Sequence, residues 1–109
     1  MNIEATIVSY LNGKGFKAYA DVPNPRPNEF VTVERTGGTS SVALDKPTVA
    51  VQAWSESRYK ASELMLKVDA CMKEITSLSN VTRCSRNSMY NYPDENQARY
   101  QAVYDLVTY

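Results

Sequence analysis

The chain has 109 residues, enough for one domain with a core that needs no staples, since a chain of this size buries roughly two thirds of its unfolded surface. Its 12 Lys and Arg balance its 12 Asp and Glu, so the formal net charge is zero, against the basic excess usual in duplex-binding proteins. There is no histidine, which removes the commonest general acid/base and the triads built on it, and excludes a His-containing zinc site.

Residues 2–12 read as a first helix. Ile3, Ile7, Tyr10 and Leu11 share one side, and Gly13 can end it. Residues 16–20 read as a first strand, with Phe16, Ala18 and Ala20 on one side and Lys17 and Tyr19 on the other. Pro23, Pro25 and Pro27 forbid a helix over 21–28 and favour an extended connector. A second strand follows at 29–36, with Val31 and Val33 opposite Thr32 and Glu34. The Gly37-Gly38-Thr39-Ser40-Ser41 run is a flexible turn region. It lacks the Lys-Ser/Thr pair and the helix start that a phosphate loop requires. A third strand at 48–54 turns Val49, Val51 and Ala53 inward and runs straight into a long helix.

That helix is the element the others pack on. Ala61, Leu64, Met65, Val68, Cys71, Met72, Ile75 and Leu78 form one stripe of period 3.6, so a helix is expected over 57–78. Ser55 or Ser57 can cap its start. The opposite face carries Glu56, Lys60, Glu63, Lys67, Asp69 and Lys73. These form three acid-before-base pairs four residues apart, each worth a few tenths of a kcal/mol. Asn80 can close the helix in a left-handed cap. Residues 81–90 read as a polar strand, and Tyr92-Pro93-Asp94 as a turn. The last strand, 98–109, turns Ala98, Tyr100, Ala102, Tyr104 and Leu106 inward. Its outer face of Arg99, Gln101, Val103, Asp105, Val107 and Tyr109 grows more apolar toward the chain end, as if awaiting a neighbour.

The expected fold is therefore α+β: a mainly antiparallel sheet of about five strands with two helices, in the order α-β-β-β-α-β-β. Strands two and three, and four and five, form hairpins, and both helices lie on one face. Residues 1–109 form a single domain. The eight tyrosines suit either an ordinary sheet or contacts between subunits.

The chemistry of catalysis is sparse. Cys71 and Cys84 read as small buried thiols, and two isolated cysteines make no closed thiolate site. Arg83 and Arg86 stand near Cys84 and favour its thiolate, but it has no base partner. Ser88 has no triad around it, and the adjacent Asp94 and Glu95 read as a solvated turn. No enzyme activity, cofactor or metal is expected. No signal peptide and no membrane-length apolar run are read, so cytosolic synthesis of a soluble protein with reduced thiols is expected.

Two stretches carry a resemblance: Glu29-Phe30-Val31-Thr32-Val33-Glu34-Arg35-Thr36-Gly37-Gly38, and Asp45-Lys46-Pro47-Thr48-Val49-Ala50-Val51-Gln52-Ala53-Trp54. With Ala61-Ser62-Glu63-Leu64, Tyr90-Asn91-Tyr92-Pro93-Asp94, Ala98-Arg99-Tyr100-Gln101 and Leu106-Val107-Thr108-Tyr109, the chain resembles the tail-terminator proteins of long-tailed bacteriophages. These are also called tail-completion or head-to-tail joining proteins. The resemblance implies a sheet with helices and no catalytic residues. It implies a virion structural protein at the head–tail junction, assembled in the bacterial host cytoplasm. There it forms a ring, usually of six subunits, on the tail tube protein, ends tube polymerisation and offers the surface for the head connector protein. DNA passes through the bore without sequence-specific binding.

Carried onto this chain, the stretch 36–47 becomes an extended hairpin loop that reaches a neighbour. Gly37, Gly38, Thr39, Val42 and Leu44 are its expected interface residues. Arg99, Val103, Val107 and Tyr109 on the last strand are the other expected contact face. The alternatives are a neighbouring head–tail connector ring protein, which shares this architecture, and a small-ligand-binding regulatory domain, which would show a concave pocket with converging polar groups.

Overall fold

The computed structural model describes residues 1–41 and 43–109. The elements in chain order are helix α1 (Ile3–Gly13), strands β1 (Ala18–Tyr19), β2 (Phe30–Ser40) and β3 (Asp45–Ser55), helix α2 (Arg58–Met72), a 3-10 turn (Ile75–Ser77), and strands β4 (Val81–Asn91) and β5 (Ala98–Thr108). The strands form one sheet in the order β1-β2-β3-β5-β4. The β2–β3 and β4–β5 neighbours are antiparallel hairpins and β3 pairs antiparallel with β5, as expected of an α+β fold; β1 alone pairs parallel, with β2.

Alternation along the strands decides the layers. Val31 and Val33, Val49, Val51 and Ala53, and Ala102, Tyr104 and Leu106 all turn to one side. They form one core with Ile3, Ile7 and Leu11 of α1 and with Leu64, Met65, Val68 and Met72 of α2. Both helices therefore cover the same face, and the other face is open to what the connectors lay on it.

The helix ends follow their capping chemistry. The Asn2 side chain accepts from the Ala5 N–H at 3.0 Å, and Ser57 accepts from the Lys60 N–H at 3.2 Å. Gly13 lies inside α1; the residue that ends it is Gly15, at φ +96°. The Gly15 N–H donates to Asn12 O and the Phe16 N–H to Leu11 O, the paired bonds of a Schellman cap.

α2 stops six residues short of the expected end. The apolar stripe continues past Met72, but Ile75 enters the core on a 3-10 turn instead of a further α-turn. The tighter turn redirects the chain toward the start of β4. Asn80 is not left-handed, because no described residue other than glycine has a positive φ. Its carbonyl instead accepts from the Tyr109 N–H at 3.2 Å. Of the three expected helix ion pairs, Glu56–Lys60 and Asp69–Lys73 form, each at 3.3 Å. Glu63–Lys67 is absent among the described residues. β1 is two residues long rather than five, and Ala20, expected to face inward, is exposed.

The expected loop at 36–47 is mostly strand. β2 and β3 stay paired as far as Ser40 opposite Asp45, which leaves little of the stretch outside the ladder. A bulge between Arg35 and Gly37 accommodates the extra residue. Gly38 is at φ +114°, and a Cβ there would collide with the Lys46 carbonyl oxygen and lie 2.7 Å from Pro47 Cα. This glycine is needed for close approach of two backbones, not for mobility. Arg35 braces the hairpin with two bonds to Asp45, at 3.0 and 3.2 Å, and holds that carboxyl below its usual range. The β2 residues from Glu34 through Ser40 are exposed, so the hairpin stands out from the core. Val42 lies outside the described residues. The domain measures 42 × 24 × 24 Å, and no helix among the described residues is long and apolar enough to cross a membrane.

Candidate functional site

The face of the sheet away from the helices divides into a covered end and an open end. The covered end is aromatic. Phe30 and Trp54 stack with centroids 5.2 Å apart, and Tyr19 meets Phe30 edge-on. The proline-bearing connector crosses here. It brings the Arg26 guanidinium over Trp54 at 5.2 Å, and Arg99 of β5 lies over the same ring at 4.7 Å. Arg99 is also 4.4 Å from the Tyr92 ring, and its Nε donates to the Tyr92 carbonyl at 2.7 Å. Arg26 completes the clamp by pairing with Asp94 at 3.1 Å.

Beneath this clamp a polar chain crosses the sheet. The Trp54 indole donates to Thr32 Oγ1 at 2.9 Å, and Thr32 donates to Gln52 Oε1 at 2.6 Å. Gln52 Nε2 donates to Gln101 Oε1 at 2.6 Å, and Gln101 Nε2 donates to the Tyr90 hydroxyl. Thr32, Gln52 and Gln101 are buried, so their polar atoms need these partners. Sequence reasoning placed Thr32 and Gln101 on the outer face but did not connect them. Their shared parity on adjacent strands was the available signal.

The open end is a groove of about 510 Å³ between the β2–β3 hairpin and β4. Gly38, Thr39 and Lys46 form one wall, Arg83 and Ser85 the other, and Thr48, Asp105 and Val107 the floor. Asp105 is held in place by Thr48 Oγ1 at 3.0 Å and Asn87 Nδ2 at 3.2 Å. Lys46 and Arg83 are exposed and make no ion pair or side-chain hydrogen bond among the described residues. Sequence reasoning missed both. The alternation that put Val49 and Val51 inside puts Lys46 and Thr48 outside.

Of the residues expected at an interface, Gly38, Thr39 and Val107 meet in this groove. Val103 is half-buried further along β5, opposite Ala50 and Ser88. Gly37 is exposed at the bulge, and Leu44 is half-buried in the turn, where its carbonyl accepts from the Ser41 N–H at 2.7 Å. Tyr109 is exposed past the end of β5. Arg99 belongs to the other end of the face, stacked on Trp54, so it is a clamp residue here and not a neighbour of Val107. With known proteins the chain shares no match, either to a family model or to a curated protein.

On the helix side lies a second polar cluster. Asp69 was expected on the exposed face of α2 but is buried, because the helix leans that side on β5. Its carboxylate accepts from the Tyr104 hydroxyl at 2.8 Å and from Arg86 at 3.0 Å, and Lys73 approaches at 3.3 Å. Nearby Cys84 corrects another expectation. Burial pushes its thiol up to about 12, with Asp69 and Asp105 adding to the shift, whereas neighbouring arginines were expected to lower it. Arg86 is bound to Asp69, and Arg83 points to the opposite face. Both cysteines are free.

A thiol raised from 9.0 to about 12 keeps its proton longer in the folded state. Its contribution to stability is fully present below pH 9 and is lost as pH rises toward 12. Denaturant midpoints of the wild type are expected to fall from pH 9 to pH 11 more steeply than those of Cys84→Ala. Iodoacetamide at pH 8 is expected to label Cys84 only on unfolding. Rapid labelling in the folded protein would contradict the burial argument.

Proposed function

We propose that this chain is a ring-forming structural protein of the phage tail-terminator type. It caps the last layer of the tail tube, ends polymerisation there and presents the surface to which a head connector docks. The ring has six copies, and DNA crosses its bore without sequence-specific contacts. The observation that supports this reading best is the braced β2–β3 hairpin, which stands out from the core beside an open groove. A hairpin stiffened by Arg35 and Asp45 serves contact with a neighbour better than a loose loop does, because little order has to be imposed on binding. The sequence resemblance supports it independently.

The test uses tube assembly. Replacing residues 41–44 with Asn-Gly leaves Ser40 opposite Asp45 as the closing pair of a two-residue turn. The melt is expected to shift by no more than about 0.6 kcal/mol, the scale of a change in loop length. With tube protein present, the wild type is expected to give tubes of fixed length and the shortened variant overlong ones. Tubes of normal length with the variant would make the hairpin a passive connection. Tube length unaffected by the wild type itself would move the chain to the neighbouring connector ring.

A further inference from the structure

The two ends of the open sheet face are chemically complementary. At one end the β4–β5 turn forms a firm knob. The Tyr92 N–H donates to Arg99 O at 2.9 Å and the Asp94 N–H to Gln97 O at 3.1 Å, which leaves Glu95 and Asn96 at the apex. Asp94 is occupied by Arg26, whereas Glu95 is exposed and has no partner among the described residues. Beside it, Tyr92 is 47% exposed and Tyr90 40%, their rings edge-to-face at 6.0 Å. The knob thus offers one free carboxylate and two aromatic rings that are already ordered.

At the other end the groove offers the converse. Lys46 and Arg83 stand unpaired on opposite walls, and Val107 supplies an apolar floor between them. Asp105 keeps its negative charge, oriented by two neutral donors, and the two cations outnumber it, so the groove keeps a positive excess. We infer that the Tyr92–Glu95 knob of one copy seats in the Lys46–Arg83 groove of the next, forming the subunit contact of the assembly. One molecule cannot satisfy itself. The knob follows Asn91 opposite Tyr100, and the groove lies near Val81 opposite Thr108, about 25–30 Å apart along β5. A contact between two different patches of the same chain is heterologous, so it propagates and closes when the rotation per subunit allows. The order already present in the knob keeps the entropic cost of docking low. This inference rests on the ring-forming reading and supplies its interface.

The experiment is a charge exchange read by native mass measurement, with tube protein present as nucleus. The groove variant carries Lys46→Glu and Arg83→Glu; the knob variant carries Glu95→Lys. Each alone is expected to lose the ring, with self-association weakened roughly a hundredfold or more by like-charge contact. The two variants mixed, or all three changes in one chain, are expected to regain it, because each knob again meets a groove of opposite sign. Melts of the variants establish that they are folded. If the wild type assembles and the single reversals assemble equally, this contact is wrong and the ring reading survives. If folded single variants lose the ring and neither combination restores it, the residues matter but do not meet, and the inference is overturned. If the wild type stays monomeric on tube ends, the inference and the ring reading fall together.

Discussion

Trp54→Ala is expected to cost about 3–5 kcal/mol, the range for truncating a buried large aromatic side chain. Trp54 is 3% exposed and touches three elements at once: Phe30 of β2, Arg99 of β5 and Arg26 of the connector. Its removal leaves a cavity under the connector and takes the indole donor from Thr32. The midpoint of thermal unfolding should fall by roughly 15 °C or more for a chain of this length. Circular dichroism is the suitable probe, since Trp54 is the only tryptophan and the variant loses its fluorescence. Trp54→Phe keeps a ring against Phe30 and loses only the N–H donor, so it should cost about 1–2 kcal/mol. A cost below about 1 kcal/mol for the alanine variant would mean that the connector does not seal this end of the sheet.

The second large effect is an asymmetry around Asp69. Arg86→Leu leaves a buried carboxylate with fewer partners and is expected to cost about 3 kcal/mol. That is the lower end for a broken buried pair, because the Arg86 side chain is 39% exposed and Lys73 remains. Asp69→Leu returns both cations to water and strands only the Tyr104 hydroxyl, so about 2 kcal/mol is expected. In the Asp69→Leu background, Arg86→Leu should cost less than about 1 kcal/mol. Denaturant titrations of the four proteins close the cycle. Additive costs would show that the carboxylate and the guanidinium are not coupled.

How far the sequence carried this reading depended on the kind of pattern involved. The stripe through Leu64, Met65, Val68 and Met72 identified α2 because apolar burial follows a single period. Strand alternation likewise gave the inward residues of β3 and β5. Polar burial carries no such period. Asp69 looked like one more charge on a solvated helix face, and its burial is made tolerable by Tyr104 and Arg86, distant in sequence, together with Lys73. The same limit hid the Thr32–Gln52–Gln101 chain. Gly37 and Gly38 suggested a loose loop, since composition does not distinguish a glycine that gives freedom from one that allows close approach. The groove was half legible: Gly38, Thr39 and Val107 were expected at a contact surface. Lys46 and Arg83 were not, because free charges on strands resemble any solvated residue.

The irregularities of the sheet are confined to its two outer long strands. β2 has its bulge at Arg35/Gly37, and β4 has register shifts at Val81/Arg83 and Arg86/Ser88, while the β3–β5 pairing at the centre shows none. An unbroken outer strand is a template on which another chain can zip by backbone hydrogen bonds, which is how sheets grow into amyloid. Bulges twist the template and interrupt its spacing. In the proposed ring, which would hold copies at high local concentration, this geometry would guard against indefinite sheet growth. The copies of such a ring would then recognise one another by side chains, whose complementarity can specify both where an assembly forms and where it stops.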